Sequence, residues 1–412
     1  MKLAIRNIGQ LVTMRGGVRL GKNLSDIGLV TDGIVHIDGD VISFAGPVSS
    51  APQFVAEKEV DAMGCVVTPG LIDAHTHAIF AGNRADEFEQ RALGATYQEI
   101  AAKGGGILST VSKTRAATED ELFEESKQHA EWMIRCGTTT AEIKSGYGLN
   151  LETELKMLRV AQKLSSSGLS VVRTFLGAHA VPKEARSKAE YLDQVIEEML
   201  PKVAVECDFV DMFVEDRYFD KTDAHRYAAR AKEFGLGVRL HVDQMRDSGG
   251  AQLAAELGAI TADHLEFTGL DGIDALAKSK TMPVLLPGSV VGMRSDKFPD
   301  AREMINRGLP VVLATDFNPG TSPTPSLPFS ISLAVTKMGM SVAEGLAACT
   351  INAAYSLNRG HQIGSLEPGK AADLVIWDFK DYRELGYWVG HTPIRHVITR
   401  GRGIYPMPVS PS

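Results

Sequence analysis

The chain has few cysteines and no long apolar run. Its 412 residues include four cysteines, which lie far apart and form no Cys-x-x-Cys pair: Cys65, Cys136, Cys207 and Cys349. This spacing argues against a disulfide framework and favours reduced thiols in a cytoplasmic protein. No apolar run approaches the roughly 20 residues that a membrane-spanning helix needs, and the first residues lack the layout of a signal peptide. We therefore expect a cytoplasmic protein with no membrane partner.

An excess of positive charge is also missing. The chain carries 43 basic and 51 acidic side chains, which gives a net charge of -8. The basic residues are scattered along the chain and do not alternate with aromatic residues. Because nucleic-acid binding depends on a basic surface, we expect no nucleic-acid partner.

Both ends of the chain are predicted to form short strands separated by turns. Glycine-rich turns separate apolar segments such as residues 33–37 and 41–44, and residues 371–377 follow the same pattern near the other end. We predict that residues 1–65 and 360–412 together build one small β-sandwich domain.

The middle of the chain, residues 66–359, alternates short β-branched runs with amphipathic helical stretches. The predicted strands are residues 65–77, 138–144, 170–179, 209–215, 238–243, 260–266, 283–287 and 310–316. Helical patterns between them include residues 119–136, 151–166 and 189–202. Eight strands alternating with helices predict an α/β fold, a parallel (β/α)8 TIM-like barrel. An open doubly wound sheet is the alternative, but no Gly-x-Gly-x-x-Gly opens a helix after the first strand.

The first predicted barrel strand ends in His75-Thr76-His77. Residues two apart in a strand point to the same face, so both imidazoles can reach one metal ion. Zinc and iron accept such ligands. A bare His-x-His pair is more often two solvent-facing histidines, but the Pro-Gly break before this pair and the polar residues at later strand ends favour a metal site.

Other predicted strands also end in polar side chains, at the rim where barrel enzymes place their active sites. These residues are His179, His241, His264 and Asp316. The predicted metal ligands are His75, His77, His241 and Asp316. Three imidazoles and one carboxylate suit one Zn²⁺ or Fe³⁺ ion per chain. A second metal commonly needs a lysine on the fourth strand, which here ends in Glu215; Lys144, at the end of the second strand, is interpreted as structural or salt-bridging.

Three segments resemble signatures of the amidohydrolase superfamily: residues 69–77 (PGLIDAHTH), 350–354 (TINAA) and 369–375 (GKAADLV). Within that superfamily the chain is similar to the imidazolonepropionases in residues 80–84, 144–149, 175–182 and 314–321. The resemblance covers nearly the whole chain. It implies hydrolysis of the cyclic amide of a small-molecule substrate, 4-imidazolone-5-propanoate, to N-formimidoyl-L-glutamate in histidine degradation. It also implies a homodimer.

The resemblance implies roles in substrate binding as well. Arg84 can hold the substrate propionate through two bonds from its planar guanidinium. Tyr147 can donate its hydroxyl over the barrel mouth, and His179 can donate to the ring oxygen or to the developing oxyanion. The loop after the eighth strand offers further amides and hydroxyls, from Asn318, Gly320 and Thr321.

One position departs from related enzymes. Deaminases of the superfamily, and some imidazolonepropionases, carry a glutamate three residues after the fifth-strand histidine, where this chain has Gln244. Glutamine cannot take a proton in the working range, so we predict only substrate hydrogen bonding there, and Asp316 or His264 as the general base. The departure weakens the alternative function, a cytosine- or guanine-type deaminase. A non-catalytic metal-binding scaffold would show a lost ligand, and none is lost.

Overall fold

The strands form two separate sheets. The computed structural model describes residues 1–95, 99–100 and 104–406. In chain order the strands are β1 (Lys2–Val12), β2 (Leu29–Asp38), β3 (Val41–Pro47), β4 (Lys58–Asp61), β5 (Val66–Pro69), β6 (Leu71–Thr76), β7 (Thr138–Lys144), β8 (Ser170–Ala178), β9 (Phe209–Val214), β10 (Gly237–Val242), β11 (Thr261–His264), β12 (Met282–Leu285), β13 (Val312–Leu313), β14 (Leu374–Trp377), β15 (Ile394–Thr399) and β16 (Arg402–Tyr405). Strands β1–β5 and β14–β16 form one sheet, and β6–β13 form the other.

The terminal sheet joins the two ends of the chain. Its strands follow the order β16-β15-β14-β5-β1-β2-β3, and β4 also pairs with β1. Strand β1 runs antiparallel to β2 and parallel to β4 and β5, and an irregularity between Ile5 and Ile8 divides it into two pairing segments. Apolar side chains from both ends of the chain, such as Val35 of β2 and Ile376 of β14, share one core.

The second sheet is a barrel of parallel strands in sequence order from β6 to β13. Its first and last strands meet just beyond their ends. The Asp316 N–H donates to the His75 carbonyl at 3.1 Å, and the His77 N–H donates to the Phe317 carbonyl at 2.9 Å. Because all strands run the same way, their C-terminal ends form one rim, and the barrel closes at that rim.

Helices follow the barrel strands. They span Ala85–Ala92, Ile107–Ala116, Glu119–Arg135, Leu151–Leu164, Lys188–Gln194, Leu200–Val203, Lys221–Glu233, Gly250–Leu257, Leu270–Ala277, Pro287–Gly292, Ala301–Asn306, Leu327–Lys337, Val342–Ala348 and Ile351–Ser356. A π-helical turn, Val195–Met199, joins the fifth and sixth of these helices. No described helix is both long and apolar enough to cross a membrane.

The helix Glu119–Arg135 illustrates how local sequence sets these elements. Thr118 Oγ1 accepts from the Glu121 N–H at 3.2 Å, and Glu121 Oε2 accepts from the Thr118 N–H at 2.8 Å. This capping box satisfies two donors at the helix start. Leu122 and Met133 then lie on the face that is buried in the main core.

The predicted TIM-like barrel and a separate sheet from the termini are confirmed, and the predicted domain bounds remain a prediction. The segment predicted as one strand, residues 65–77, forms two: β5 pairs in the terminal sheet and β6 in the barrel. The break falls at Gly70, where a Cβ would overlap the Thr139 side chain. Pro69 just before it has no N–H to offer a ladder.

The last barrel strand is shorter than predicted. Strand β13 spans Val312–Leu313, whereas the sequence pattern predicts residues 310–316. Asp316 has a φ of 54°, in the left-handed region, which is incompatible with an extended strand. The polar end of this segment is therefore a turn that leaves the barrel rim.

Candidate metal centre and substrate cavity

The four predicted metal ligands meet at the C-terminal rim of the barrel. His75 lies in β6 with His77 just past its end, His241 lies in β10, and Asp316 follows β13. His77 Nε2 lies 3.5 Å from Asp316 Oδ1 and 3.4 Å from His241 Nε2. His75 Nε2 lies 3.7 Å from Asp316 Oδ1. All four side chains are buried, so the fold brings the predicted set into one cluster.

His264 lies in the same cluster. Side-chain nitrogen and oxygen atoms of His75, His77 and Asp316 lie within 4.8 Å of one another. The same is true of ring nitrogens of His75, His241 and His264. The structure therefore places His264, predicted only as a possible base, within the cluster of predicted metal ligands.

Two carboxylates below the cluster set the proton positions of two ligand rings. His75 Nδ1 lies 2.6 Å from Asp263 Oδ2, and His241 Nδ1 lies 3.0 Å from Asp211 Oδ1. Since an ionised carboxylate only accepts, each Nδ1 carries the hydrogen and each Nε2 presents a lone pair to the cluster. Carboxylate support of this kind is common behind metal-binding histidines.

An unpaired buried nitrogen indicates that the cluster suits a cation. Within the described residues, His75 Nε2, which lies against Asp316, has no hydrogen-bond partner although it is buried. Burial, and then the nearby Lys144 ammonium, lowers the pKa of His75 well below its usual value. Burial, and then His179, does the same to the pKa of His77. Neutral imidazoles with open lone pairs are what a metal ion requires, so the donor set fits one.

Asp316 and His264 have unusual environments. Burial raises the pKa of Asp316 to about 6, although the neighbouring His264 opposes the shift. Burial disfavours the charged form of His264, yet the Glu266 carboxylate, with Nδ1 and Oε1 3.2 Å apart, and Asp316 raise its pKa overall. The φ angles of these two residues, 54° and 86°, lie in the left-handed region. Such backbone strain is concentrated at functional sites.

His179 lines the same cavity as the cluster, and its hydrogen bond to Gly146 bears on the predicted donor role. Its Nδ1 lies 2.9 Å from the Gly146 carbonyl, which can only accept, so Nδ1 carries the hydrogen. Burial, and then His241, lowers the pKa of His179 to about 3. The neutral ring therefore presents an acceptor at Nε2, and the predicted donor role would require an imidazolium that this environment disfavours.

Arg84 lines the same cavity, where it is nearly buried. Its Nε and Nη2 donate to Glu87 Oε2 at 2.8 and 2.6 Å, and Glu87 Oε1 accepts from the Gly106 N–H at 3.0 Å. The guanidinium also packs against Gly320, where a Cβ would overlap Nη1. The position predicted for propionate binding is thus held by a buried acid and by a glycine that allows close approach.

The loop after β13 is organised by one side chain. Asn318 Oδ1 accepts from the Gly320 and Thr321 N–H groups at 2.8 and 2.7 Å. Asn318 Nδ2 donates to the Asp316 carbonyl at 2.6 Å. Asn318 and Thr321 line the cavity, and Gly320 lies behind it against Arg84. The amide of Asn318 therefore orders the loop that follows Asp316, a predicted metal ligand.

Tyr147 and Gln244 complete the cavity lining. Tyr147 is buried in a turn whose amides, at Gly146 and Gly148, donate to Glu154 at 2.9 and 2.8 Å. The Gln244 N–H donates to Glu215 Oε1 at 2.6 Å, which holds the backbone of this residue at the rim.

Comparison with known proteins now places the chain. A family model described as Amidohydrolase family matches residues 66–403. The imidazolonepropionase of Solibacter usitatus is 48% identical over 410 residues, which are 98% of each chain. The imidazolonepropionase of Geobacillus kaustophilus is 45% identical over 412 residues, 97% of each chain. The chain belongs to the imidazolonepropionase family of amidohydrolases. It is a hydrolytic enzyme, as the resemblance implies.

Solved structures share the fold at low identity. The 5-methylcytosine deaminase of Klebsiella pneumoniae, liganded with 5-fluorocytosine, has a TM-score of 0.74 at 16% identity, with 100% of this chain and 99% of that chain covered. A triazine hydrolase variant has a TM-score of 0.74 at 15% identity, with 98% and 94% covered. At identities this low, the similarity supports the barrel and the terminal sheet and carries no information about the substrate.

Several charged residues beneath the cluster escaped the sequence-based prediction. They are Glu142, Asp211, Arg239 and Asp263, with Glu266 beside His264. The available signal was a charge at every second position of otherwise apolar strands, as in Glu142-Ile143-Lys144 and Arg239-Leu240-His241. Alternate positions share one face of a strand, so these charges point into the barrel together with the histidines.

Proposed function

We propose that the chain hydrolyses the cyclic amide C–N bond of 4-imidazolone-5-propanoate to give N-formimidoyl-L-glutamate, a step in histidine degradation. The observation that carries the proposal is one cavity lined both by the metal-ligand cluster and by a buried arginine. A small ring bearing one carboxylate has a place for each of its ends in such a cavity. The names of the full-length relatives support the same reaction.

We propose that one Zn²⁺ or Fe³⁺ ion is held by four residues: His75, His77, His241 and Asp316. When bound, such an ion supplies Lewis acidity, which activates water and polarises the amide carbonyl. The fit is supported by the unpaired, buried Nε2 of His75 and by the Nδ1 hydrogen bonds that turn two Nε2 atoms toward the cluster.

Arg84 binds the propionate in this proposal, and Glu87 fixes the plane of the guanidinium. Because Nε and Nη2 already donate to Glu87, the guanidinium is oriented before the substrate arrives. Preorganised donors lose less entropy on binding than mobile ones. Tyr147, Gln244 and the loop of residues 318–321 contribute further hydrogen bonds around the ring.

His179 accepts a hydrogen bond at Nε2 from a ring N–H of the substrate. The Gly146 carbonyl occupies its Nδ1 hydrogen, so an acceptor is what the neutral ring offers. This role replaces donation to the ring oxygen. It selects for a substrate that presents an N–H group toward His179, which an imidazolone does.

His264 moves the proton. Water adds its oxygen to the amide carbon while its proton passes to His264, which Glu266 stabilises as an imidazolium across 3.2 Å. The same proton then goes to the ring nitrogen as the C–N bond breaks. Asp316, the other candidate base, already lies against two ligand histidines, so we assign it to the ion.

The test is an assay with freshly generated substrate, following the loss of the imidazolone absorbance, with metal analysis of the same sample. His264→Asn should retain metal and lose turnover, whereas Asp316→Asn should lose both. His391→Ala, at an exposed histidine outside the cavity, serves as the control and should behave as wild type. Turnover that survives in His264→Asn would move the base assignment back to Asp316.

We also propose a homodimer and a cytoplasmic location. Light scattering coupled to size-exclusion chromatography tests the first, and fractionation of the source cells tests the second. A monomeric mass at assay concentrations would remove the dimer from the proposal without affecting the reaction.

A further inference from the structure

Five charged side chains lie beneath the histidine cluster with no solvent exposure. They are Glu142, Lys144, Asp211, Arg239 and Asp263. Three are acids and two are bases, so the group carries one excess negative charge when all are ionised. Burying charges costs several kcal/mol per ion unless they are paired, so each base must be placed to offset particular acids.

Lys144 is the centre of this group. Its Nζ lies 2.8 Å from Glu142 Oε1, 2.8 Å from Asp211 Oδ2 and 3.9 Å from Asp263 Oδ2. One ammonium therefore faces all three carboxylates. A point charge with three donors suits such an arrangement.

Each of these carboxylates has its other contact on the metal-ligand segments. Asp211 Oδ1 accepts from His241 Nδ1 at 3.0 Å, and Asp263 Oδ2 accepts from His75 Nδ1 at 2.6 Å. Glu142 Oε2 accepts from the backbone N–H of Thr76, which lies between His75 and His77, at 3.3 Å. Lys144 is thus one contact removed from three of the groups that shape the cluster.

The second base has a different set of contacts. Arg239 Nη2 donates to the Ala74 carbonyl at 2.7 Å, and Nη1 donates to the Ser356 carbonyl at 3.1 Å. Its guanidinium also lies over the Phe209 ring, 5.6 Å from the centroid. Arg239 also reaches two of the carboxylates, since Nη2 donates to Asp263 Oδ2 at 3.4 Å and Nε lies 3.8 Å from Glu142 Oε1. Its shorter hydrogen bonds go to backbone carbonyls, which is a role in holding the fold, whereas the contacts of Lys144 given above are all to carboxylates.

We propose that Lys144 is a positioning residue for the metal centre: it holds Asp211 and Asp263 in place so that His241 and His75 present Nε2 to the ion. The inference rests on the metal centre of the proposed function. Without the ammonium, the closely spaced carboxylates repel one another, and the ligand rings lose fixed acceptors for their Nδ1 hydrogens. Loss of such supporting contacts typically weakens metal affinity by about 10- to 100-fold.

The experiment measures Zn²⁺ affinity by chelator competition in the full-length protein, for wild type, Lys144→Met and the control Arg302→Met. Arg302 pairs with Glu344 away from the cluster, so its loss removes a cation without touching the ligand network. We expect about 10- to 100-fold weaker Zn²⁺ binding in Lys144→Met and unchanged binding in Arg302→Met. The visible spectrum of the Co²⁺-loaded protein should also change in Lys144→Met, because the ligand rings reorient.

A second variant guards against misfolding. Lys144→Met/Asp211→Asn removes one charge of each sign. Its fold-loss in Zn²⁺ affinity should be smaller than the fold-losses of Lys144→Met and Asp211→Asn multiplied together, because both substitutions act through one contact. Wild-type Zn²⁺ affinity and an unchanged Co²⁺ spectrum in a folded Lys144→Met protein, even with a lower melting temperature, would overturn the inference.

The proposed function is tested separately from the positioning role of Lys144. If wild type binds Zn²⁺ but leaves the imidazolone substrate intact, the reaction is wrong, and the affinity series still tests Lys144. If wild type turns over the substrate and Lys144→Met binds Zn²⁺ normally, only the positioning role is lost.

Discussion

Replacing Arg84 with methionine tests how the substrate carboxylate is held. The propionate is the permanently anionic part of the substrate and lies away from the reacting amide, so its contact persists from ground state to transition state. Losing uniform binding of this kind raises KM more than it lowers kcat. A hydrogen bond to a charged group contributes roughly 1.5–3 kcal/mol, so Arg84→Met should reduce kcat/KM by about ten- to a hundredfold.

The structure adds a second consequence, for stability. Glu87 is 3% exposed and would lose both bonds from Arg84, while its bond from the Gly106 N–H at 3.0 Å would remain. A buried group left partly unpaired costs about 1–3 kcal/mol. Arg84→Met should therefore melt at a lower temperature than wild type. The pair Arg84→Met/Glu87→Gln should regain stability while KM stays high, which separates binding from folding.

Gly320→Ala offers a matched perturbation that changes no charge. The added Cβ would overlap Arg84 Nη1, so the guanidinium must shift, and KM should rise while metal content stays normal. Arg84→Lys should rescue only partly, because a point charge lacks the planar fork. Steady-state kinetics and metal analysis give both readouts. A wild-type KM in Arg84→Met would refute the reasoning. The binding of the substrate carboxylate would then be assigned to Tyr147 and the loop of residues 318–321.

Three further predictions concern the metal ligands, the substrate and the stability of the fold. His77→Ala should lose bound metal and turnover together, as measured by elemental analysis and the absorbance assay; full occupancy with normal turnover would exclude it as a ligand. The protein should release no ammonia from cytosine or guanine, because Gln244 replaces the glutamate that deaminases use; rapid ammonia release would favour the deaminase. Burial raises the pKa of Asp373 to about 6 from 3.8, so its ionisation destabilises the fold as pH rises through that window. Asp373→Asn should therefore add up to about 3 kcal/mol of unfolding free energy at pH 8 and little at pH 4, by denaturant titration; an equal gain at both values would contradict the assignment to this carboxyl.

The clustering of the proposed ligand residues was predictable because strand periodicity and strand ends are local properties of a sequence. A histidine two residues from another on a strand shares its face, and parallel strands bring their ends to one rim. Asp316 and His241 could therefore be assigned to one site before any distance was known. The confirmed barrel follows from the same alternation of strands and helices.

Proton positions and charge pairing were not predictable, because they depend on contacts between distant parts of the chain. The acceptor state of His179 follows from the Gly146 carbonyl, which belongs to another strand-end turn. The pairing of Lys144 with Asp211 joins β7 to β9, which lie on either side of β8 in the barrel. Sequence patterns gave the faces of these residues, and only tertiary geometry gives their partners.

The seam that closes the barrel makes metal uptake visible from the backbone. The hydrogen bonds from the Asp316 and His77 amides cross between the first and last barrel strands, and both residues belong to the proposed ligand set. An ion bound by residues on both sides of the seam would oppose local opening of the seam. Metal binding would therefore stabilise these two hydrogen bonds by the free energy of binding. The exchange of these two amide hydrogens with deuterium should therefore report how much of the metal site is occupied. We expect their exchange to slow as metal is added, while amides in the terminal sheet exchange at unchanged rates.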